Sequence, residues 1–251
     1  MLTAIALLAL TTSATDTGTE VVSKMLSKFH TANTVKGTIA FVQTASSNSG
    51  TAKVTVLTSL AMSKPNLFFI EQLRQPAAQG TDTLSHFVAV SDGTRMSYTV
   101  PPRLLPMTDA GKHGKFYEVA PKSVEEGLNA FCTMLIDRSL PIALGLYNPY
   151  EITTFTRRLS NVTMDKEDAE ISGIPVYRIK ADYTYGTAQS DQGVSALKTP
   201  AYIYVDKNYN LVSLIWQDLL GTAEQLNTIR SEWTVNLQTN VEVDKELFKV
   251  K

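Results

Sequence analysis

The sequence predicts an α+β protein built on an antiparallel sheet with one apolar and one polar face. Apolar and polar side chains alternate along three segments of the C-terminal half, most clearly over 177–185. Alternation with a period of two is typical of a sheet that packs on one side and meets water on the other. Two segments, 20–30 and 123–136, instead repeat apolar side chains at helical spacing. We therefore expect one sheet of about ten strands with both helices on its apolar side.

Length and composition agree with one folded domain and exclude some functions. The chain has 251 residues, of which 43% are hydrophobic, so it can bury a core. Lys and Arg number 23 against 24 Asp and Glu, which gives no sign of the basic surface that nucleic acid needs. The single cysteine, Cys132, excludes an internal disulfide.

The first residues predict an export signal. Residues 1–14 read MLTAIALLALTTSA, an apolar run followed by small residues. The run is shorter than the ~20 residues that cross a bilayer, and it fits the core and cleavage site of a signal peptide. It lacks a preceding Lys or Arg, so an ordinary N-terminal helical turn is the alternative interpretation. We expect a signal peptide over 1–14 and one soluble, exported domain over 15–251.

The segment 63–98 predicts a meander of antiparallel strands. Pro65 fixes its own φ and keeps Lys64 out of helical space, so a turn precedes the apolar run LFFI. Asp92-Gly93 is the residue pair that a tight hairpin prefers, and it separates FVAV from RMSY. Two alternating strands precede this meander, and a short strand is expected over 116–120.

The same segment resembles the LolA family of periplasmic lipoprotein carriers. The resemblance lies in Lys64-Pro65-Asn66-Leu67-Phe68 and in Val90-Ser91-Asp92-Gly93, with similar order and spacing. It implies a highly curved antiparallel sheet that forms an open, unclosed β-barrel, with helices plugging the concave side. It also implies a helical lid insertion at about 121–150 and a closing strand over 246–250.

The resemblance further implies an apolar cavity that holds acyl chains. Alternation phase and bulk select the side chains expected to line it: Phe41, Phe68, Ile70, Met96, Tyr98, Phe131, Leu135, Ile179, Tyr183, Leu214, Trp216, Trp233 and Val235. Periodicity alone favours a packed core between sheet and helices for these residues, and only the resemblance favours a cavity. Lys64 occupies the place of a family cation, usually Arg, and is expected to latch the lid through carbonyl oxygens at the end of helix 123–136 or in the loop after it.

No residue pattern predicts catalysis, a metal or a cofactor. His30, His86 and His113 are scattered and match no catalytic or metal-binding motif, and Cys132 falls on the apolar side of a predicted helix. The segment 206–210 lacks the Gly and closing Glu of a calcium loop, so it predicts a hairpin turn.

Two functions remain open at this stage. The first is a monomeric periplasmic carrier that takes an acylated lipoprotein or lipid from an inner-membrane donor to an outer-membrane acceptor, with only transient membrane contact. The second is a sensor or regulatory module that binds lipid or a protein segment without transport. Lys64 at the corner favours the first, because the resembled carriers have a cation at that place.

Overall fold

The computed structural model describes residues 16–47, 50–75, 86–100, 114–131, 140–142, 155–165, 169–190, 193–222 and 225–251. The predicted signal peptide over 1–14 lies outside these residues, as does most of the predicted lid insertion. In the described part of the chain, no helix is long and apolar enough to cross a membrane.

Within the described residues, the sheet contains twelve strands and is not closed. In chain order they are β1 Thr34–Ser47, β2 Gly50–Ser63, β3 Leu67–Gln75, β4 His86–Asp92, β5 Arg95–Val100, β6 Gly114–Val119, β7 Leu159–Met164, β8 Ala169–Ile171, β9 Ile174–Ser190, β10 Gly193–Asp206, β11 Leu211–Thr222 and β12 Gln225–Thr239. Neighbours run in the order β6-β5-β4-β3-β2-β1-β12-β11-β10-β9-β7, and β8 pairs with β9. Because β6 and β7 do not pair with each other, the predicted open, curved barrel of the α+β class is confirmed.

The first helix, α1, spans Gly18–Thr31 and begins with a capping box. The main-chain nitrogen of Glu20 donates to the Thr17 hydroxyl, and the Glu20 carboxylate accepts from the Thr17 main-chain nitrogen at 2.7 Å. Such a box satisfies main-chain donors that have no partner within the helix. The buried side is apolar and includes Val22, Met25 and Phe29. The helix predicted over 20–30 is therefore confirmed, and it begins two residues earlier, at Gly18.

The second helix, α2, spans Val124–Phe131 and confirms the start predicted at 123. The Ser123 hydroxyl accepts from the main-chain nitrogen of Glu126, as a capping box requires. The Glu126 carboxylate, however, accepts from Lys122, one residue before the expected partner. Residues 132–139 lie outside the described residues, and a short helix, α3, follows at Leu140–Ile142.

One face of the sheet, called here the inner face, carries the core. The register makes it continuous: Phe41 pairs with Trp233, Trp233 with Leu214, and Leu214 with Ile203, which pairs with Ile179. On the other side of β1, Val35 pairs with Met62, and Met62 pairs with Phe68. Side chains from all these strands belong to one buried apolar cluster.

Both helices pack on the inner face. A Cβ added to Gly127 of α2 would lie 2.7 Å from the Phe68 ring, so a glycine is needed for this close approach. At the start of α1, a Cβ on Gly18 would lie 3.5 Å from Ile179. Because Phe68 and Ile179 lie on the same face, the prediction of both helices on one side is confirmed.

The predicted closing strand over 246–250 is wrong. The chain forms a 3-10 helix at Lys245–Phe248, which begins where the Asp244 carboxylate accepts from the main-chain nitrogen of Glu246. Phe248 is buried, and this helix packs against β3 and β4. No further strand fits between β12 and β1, because these two strands already pair with each other from Thr228 to Thr239 of β12.

Candidate functional site

The structure gathers the predicted cavity residues on one surface. Ten belong to the buried apolar cluster, and Tyr98 and Trp216 are half-buried and pack against it. The ten are Phe41, Phe68, Ile70, Met96, Phe131, Ile179, Tyr183, Leu214, Trp233 and Val235. Leu135 lies outside the described residues. Each strand residue in the set lies on the inner face, so the alternation phase read from the sequence selected the correct side.

A series of stacked and tilted rings, called here the aromatic row, crosses the inner face. It consists of Phe41, Trp233, Trp216, Tyr183 and Phe155. Successive ring centroids lie 4.8, 4.8, 4.9 and 5.9 Å apart. These separations are typical of favourable aromatic pairs, which add about 0.5–1.5 kcal/mol each beyond the area they bury. The row joins β1, near the start of the chain, to β9, β11 and β12 in its C-terminal part.

Two buried polar atoms on this part of the inner face have no hydrogen-bond partner among the described residues. They are the indole Nε1 of Trp233 and the hydroxyl oxygen of Thr199. Trp233 is 3% exposed and Thr199 is 2% exposed. Buried polar atoms are nearly always paired in folded proteins, so two such atoms close to one aromatic row need an explanation.

Burial on the inner face decreases away from α1. Along β1, Val35 and Ile39 are fully buried, Gln43 and Ala45 are half-buried, and Ser47 is exposed. Along β2, burial falls in the same direction, from the fully buried Met62 to the exposed Ala52. The aromatic row crosses the sheet between the helix-covered end and this more exposed end.

A second aromatic group surrounds α2. The Phe131 ring lies 5.8 Å from Phe68, 5.8 Å from Phe87 and 5.4 Å from Tyr98. The Tyr98 hydroxyl donates to the Glu118 carboxylate at 2.6 Å. This hydrogen bond to an anion, together with burial, raises the pKa of Tyr98 to about 12. Tyr98 therefore keeps its proton at every physiological pH.

Lys64 contacts the end of α1, which the sequence analysis did not assign to it. Its ammonium donates to the main-chain oxygen of His30, at the end of α1, with a distance of 2.8 Å. The reason is the register of β1 and β2: Thr34 pairs with Ser63, so the end of β2 lies beside the start of β1, which follows α1 directly. The expected carbonyl end of helix 123–136 lies outside the described residues. The latch to that end of the helix therefore stays a prediction.

The two residues after Lys64 do reach α2. The main-chain oxygen of Pro65 accepts from Val124 at the start of that helix, at 2.8 Å. The Asn66 side chain donates to the main-chain oxygens of Pro121, at 3.0 Å, and of Gly93, at 3.1 Å. The corner, Lys64 to Asn66, therefore holds the end of α1, the start of α2 and the β4–β5 hairpin.

The start of α1 is fixed by charge. The Lys24 ammonium donates to both carboxylate oxygens of Asp16, at 2.7 and 2.8 Å, and Tyr209 donates to the same carboxylate at 2.6 Å. The hydrogen bond from Lys24 lowers the pKa of Asp16 most, and the bond from Tyr209 lowers it further. The bond to Asp16 in turn raises the pKa of Lys24. Since Tyr209 lies in the β10–β11 hairpin, the start of α1 is attached to that hairpin, which the sequence predicted as a turn.

The sequence analysis did not select two residues of the candidate site. Thr199 and Phe155 attract no attention in the alternation pattern, and only the register of β9 and β10 places Thr199 beside Tyr183. The Thr17-x-x-Glu20 capping box was visible in the sequence and gives the true start of α1. Among the described residues, no group of three or more His, Cys, Asp or Glu side chains could hold a metal ion. His113 and Cys132 lie outside them.

Comparison with known proteins gives structural matches only. No model of a known protein family matches the chain, and no curated protein sequence matches it. Among solved structures, the Mycobacterium tuberculosis lipoprotein LppX is 12% identical over 90% of this chain and 97% of its own, with a TM-score of 0.36. A LolA superfamily protein from Nitrosomonas europaea is 7% identical over 94% of this chain and 99% of its own, with a TM-score of 0.28.

A third match is to the Pseudomonas aeruginosa MucA/MucB complex, at 9% identity and a TM-score of 0.37. It covers 92% of this chain and 61% of the matched chain. The LolA superfamily, which the corner region resembles in sequence, is thus represented among the similar structures. Because these TM-scores are all below 0.5, the function proposed below rests on the residues of this chain.

Proposed function

We propose that this protein is a carrier that binds the acyl chains of a lipoprotein or lipid on the inner face of its sheet. The observation that carries the proposal is the continuity of that face. One apolar cluster runs across the sheet from β5 to β9 and contains two aromatic groups. Its burial decreases steadily toward one end of the sheet.

Such a face suits acyl chains physically. Burying an acyl chain is worth ~0.8 kcal/mol per CH₂, so the chains of a lipid do not cross water unshielded. Apolar contact is not directional, and it therefore shields the chains without fixing one pose. A carrier needs this combination, because it must release what it binds.

Binding requires part of the helical cover to move, and α1 is attached in a way that permits this. Its end is held by the Lys64 bond to His30, and its start by Asp16, Lys24 and Tyr209. Both attachments lie at the same end of the sheet, beside the β2–β3 and β10–β11 turns. They consist of hydrogen bonds and partly exposed charges, which are individually weak. Acyl chains entering from the opposite end can therefore displace the apolar side of α1 while the attachments keep it close.

The proposal places the protein in the periplasm as a monomer. It would receive cargo from an inner-membrane donor and deliver it to an outer-membrane acceptor, with only transient contact with either membrane. The signal peptide predicted over 1–14 supports this location.

One observation favours the second candidate function, a module that binds a protein segment without transport. Strand β6 forms one edge of the sheet, and Phe116, Tyr117 and Val119 are 40%, 57% and 84% exposed. An edge strand presents main-chain donors and acceptors to which an extended segment can add as a further strand.

A transfer assay separates the two functions. The protein is loaded with a fluorescent diacylated lipopeptide, bound cargo is counted by native mass spectrometry, and transfer to acceptor vesicles is followed over time. A carrier binds the lipopeptide and transfers it faster than free exchange. Binding without faster transfer supports the sensor, and absence of binding contradicts the carrier.

Two matched variants locate the binding surface. Trp216→Glu puts a charge on the half-buried part of the inner face, whereas Leu57→Glu puts the same charge on the opposite face, where Leu57 is 39% exposed. Because an unpaired carboxylate is costly beside an acyl chain, we expect only Trp216→Glu to abolish binding. Equal effects of the two variants would contradict the assignment of the inner face.

A further inference from the structure

We propose that the Trp233 indole N–H and the Thr199 hydroxyl are binding sites for ester carbonyl oxygens of an O-acylated lipid. The proposal rests on the proposed function and deepens it. It states that the ligand carries hydrogen-bond acceptors among its apolar chains, and that these acceptors bind beside the aromatic row.

The Trp233 indole is the first of the two sites. An indole N–H is a donor only, so it needs an acceptor oxygen. Trp233 is 3% exposed, and its Nε1 has no partner among the described residues. The ring itself is held tightly, between Phe41 at 4.8 Å and Trp216 at 4.8 Å. The N–H donor is thus fixed in place on an apolar surface. A ligand that brings an acceptor oxygen to this point binds better than one that does not.

Thr199 is the second site. It lies on the inner face of β10 opposite Tyr183, two residues from Ala201, which pairs with Trp216. Its hydroxyl is buried and, within the described chain, unpartnered. Trp216 therefore lies between the two sites, on the strand that separates Thr199 from Trp233. Since Trp216 is half-buried, this region borders the more exposed end of the inner face.

The chemistry of the two atoms selects the ligand. A plain hydrocarbon chain would leave both polar atoms buried without partners, which is unfavourable. An ester carbonyl oxygen is a neutral acceptor joined directly to acyl chains, so it satisfies these atoms while the chains remain on the apolar face. A fatty-acid carboxylate is also an acceptor, but its charge requires a cation when buried.

The test compares two lipids that differ only in the carbonyl groups. Dioctanoylglycerol has two ester carbonyls, and dioctylglycerol has ethers at the same positions. The protein contains two tryptophans, both in the aromatic row, so intrinsic fluorescence reports binding at this place. We expect the ester to bind about tenfold more tightly than the ether, which corresponds to about 1.4 kcal/mol.

Three variants assign the preference to the two atoms. Trp233→Phe keeps a ring and removes the N–H, and Thr199→Val keeps the shape and removes the hydroxyl. Each is expected to lower the ratio of ester affinity to ether affinity severalfold, because both lipids lose the same apolar contacts and only the ester loses a hydrogen bond. Thr234→Val, on the exposed opposite face of β12, is the control and should change neither. Thermal unfolding of each variant checks that it folds.

The outcomes are separable. If the parent protein binds ester and ether equally, the inference is overturned. If octanoic acid at neutral pH binds more tightly than the ester, the inference is overturned in favour of a carboxylate. If no lipid binds, the proposed function itself fails.

Discussion

The Lys64 ammonium donates a hydrogen bond to the main-chain oxygen of His30 at 2.8 Å. This bond joins the β2–β3 corner to the last turn of α1, whose carbonyl oxygens have no partners within the helix. The negative end of the helix dipole favours a cation there. The corner that the sequence assigned to a lid therefore holds the helix that covers the inner face.

Replacing Lys64 tests this attachment. Lys64→Leu removes both the charge and the donor, so we expect it to lower the free energy of unfolding by about 1 kcal/mol. Hydrogen exchange should become faster in the last turn of α1 and stay unchanged in β12. Lys53→Leu, at an exposed position of β2, is the control. If both variants have the same stability and exchange, the bond does not stabilise α1. If α1 restrains cargo, Lys64→Leu should also speed its release.

The Asp16 cluster predicts a pH-dependent attachment of the start of α1. Because the pKa of Asp16 is lowered in the folded protein, its contribution to stability is present above its ordinary value of 3.8 and is lost as the pH falls through the lowered value. The pKa of Lys24 is raised, so its contribution is present below 10.5 and is lost as the pH rises through the raised value. The Asp16–Lys24 ion pair therefore stabilises the start of α1 between the lowered pKa of Asp16 and the raised pKa of Lys24.

The measurement is the melting temperature of Asp16→Asn as a function of pH. We expect the variant to melt below the parent protein at neutral pH, and the difference to disappear in acid. Glu242→Gln, which neutralises an exposed carboxylate elsewhere, serves as the comparison. A difference between Asp16→Asn and the parent that persists unchanged in acid would show that the Asp16 charge is not the cause.

The Tyr98 phenol should titrate unusually late. Its pKa is about 12 because it donates to Glu118, and this stabilising bond is present below the ordinary value of 10.0 and lost as the pH rises through about 12. In a spectrophotometric titration of the tyrosines, the curve of Tyr98→Phe should lack one late step that the parent protein shows. Glu118→Gln should move that step toward lower pH, since the anion is removed. A titration curve unaffected by Glu118→Gln would contradict the role of the carboxylate.

Two glycines with similar backbone angles give a steric prediction. Gly37 has φ +149° and Gly50 has φ +139°, so alanine is strained at both, by about 1–3 kcal/mol. A Cβ at Gly37 would also lie 2.0 Å from the main-chain oxygen of Asn236, whereas nothing lies within 4 Å of one at Gly50. We expect Gly37→Ala to lower the free energy of unfolding by more than about 4 kcal/mol or to prevent folding. Gly50→Ala should lower the free energy of unfolding only by the backbone strain. Urea unfolding compares them, and equal losses would contradict the register of β1 and β12.

The sequence determined which residues face inward. Alternation along β9, β11 and β12 placed Ile179, Leu214 and Trp233 on the packed side, because successive side chains of a strand point to opposite faces. The Asp92-Gly93 hairpin was likewise predictable: the Asp92 carboxylate accepts from Thr94 and Arg95, and Gly93 adopts φ +87°. These features are local, so a short stretch of sequence is sufficient to specify them.

The tertiary structure decided which inward residues meet. Pairing of β1 with β12 brings Phe41 to Trp233 across almost the whole chain, and pairing of β1 with β2 places Lys64 beside the end of α1. The unpartnered atoms of Trp233 and Thr199 are likewise visible only in the fold. Such contacts depend on strand order and register between distant segments, which are selected by the packing energy of the whole sheet and leave no local pattern in the sequence.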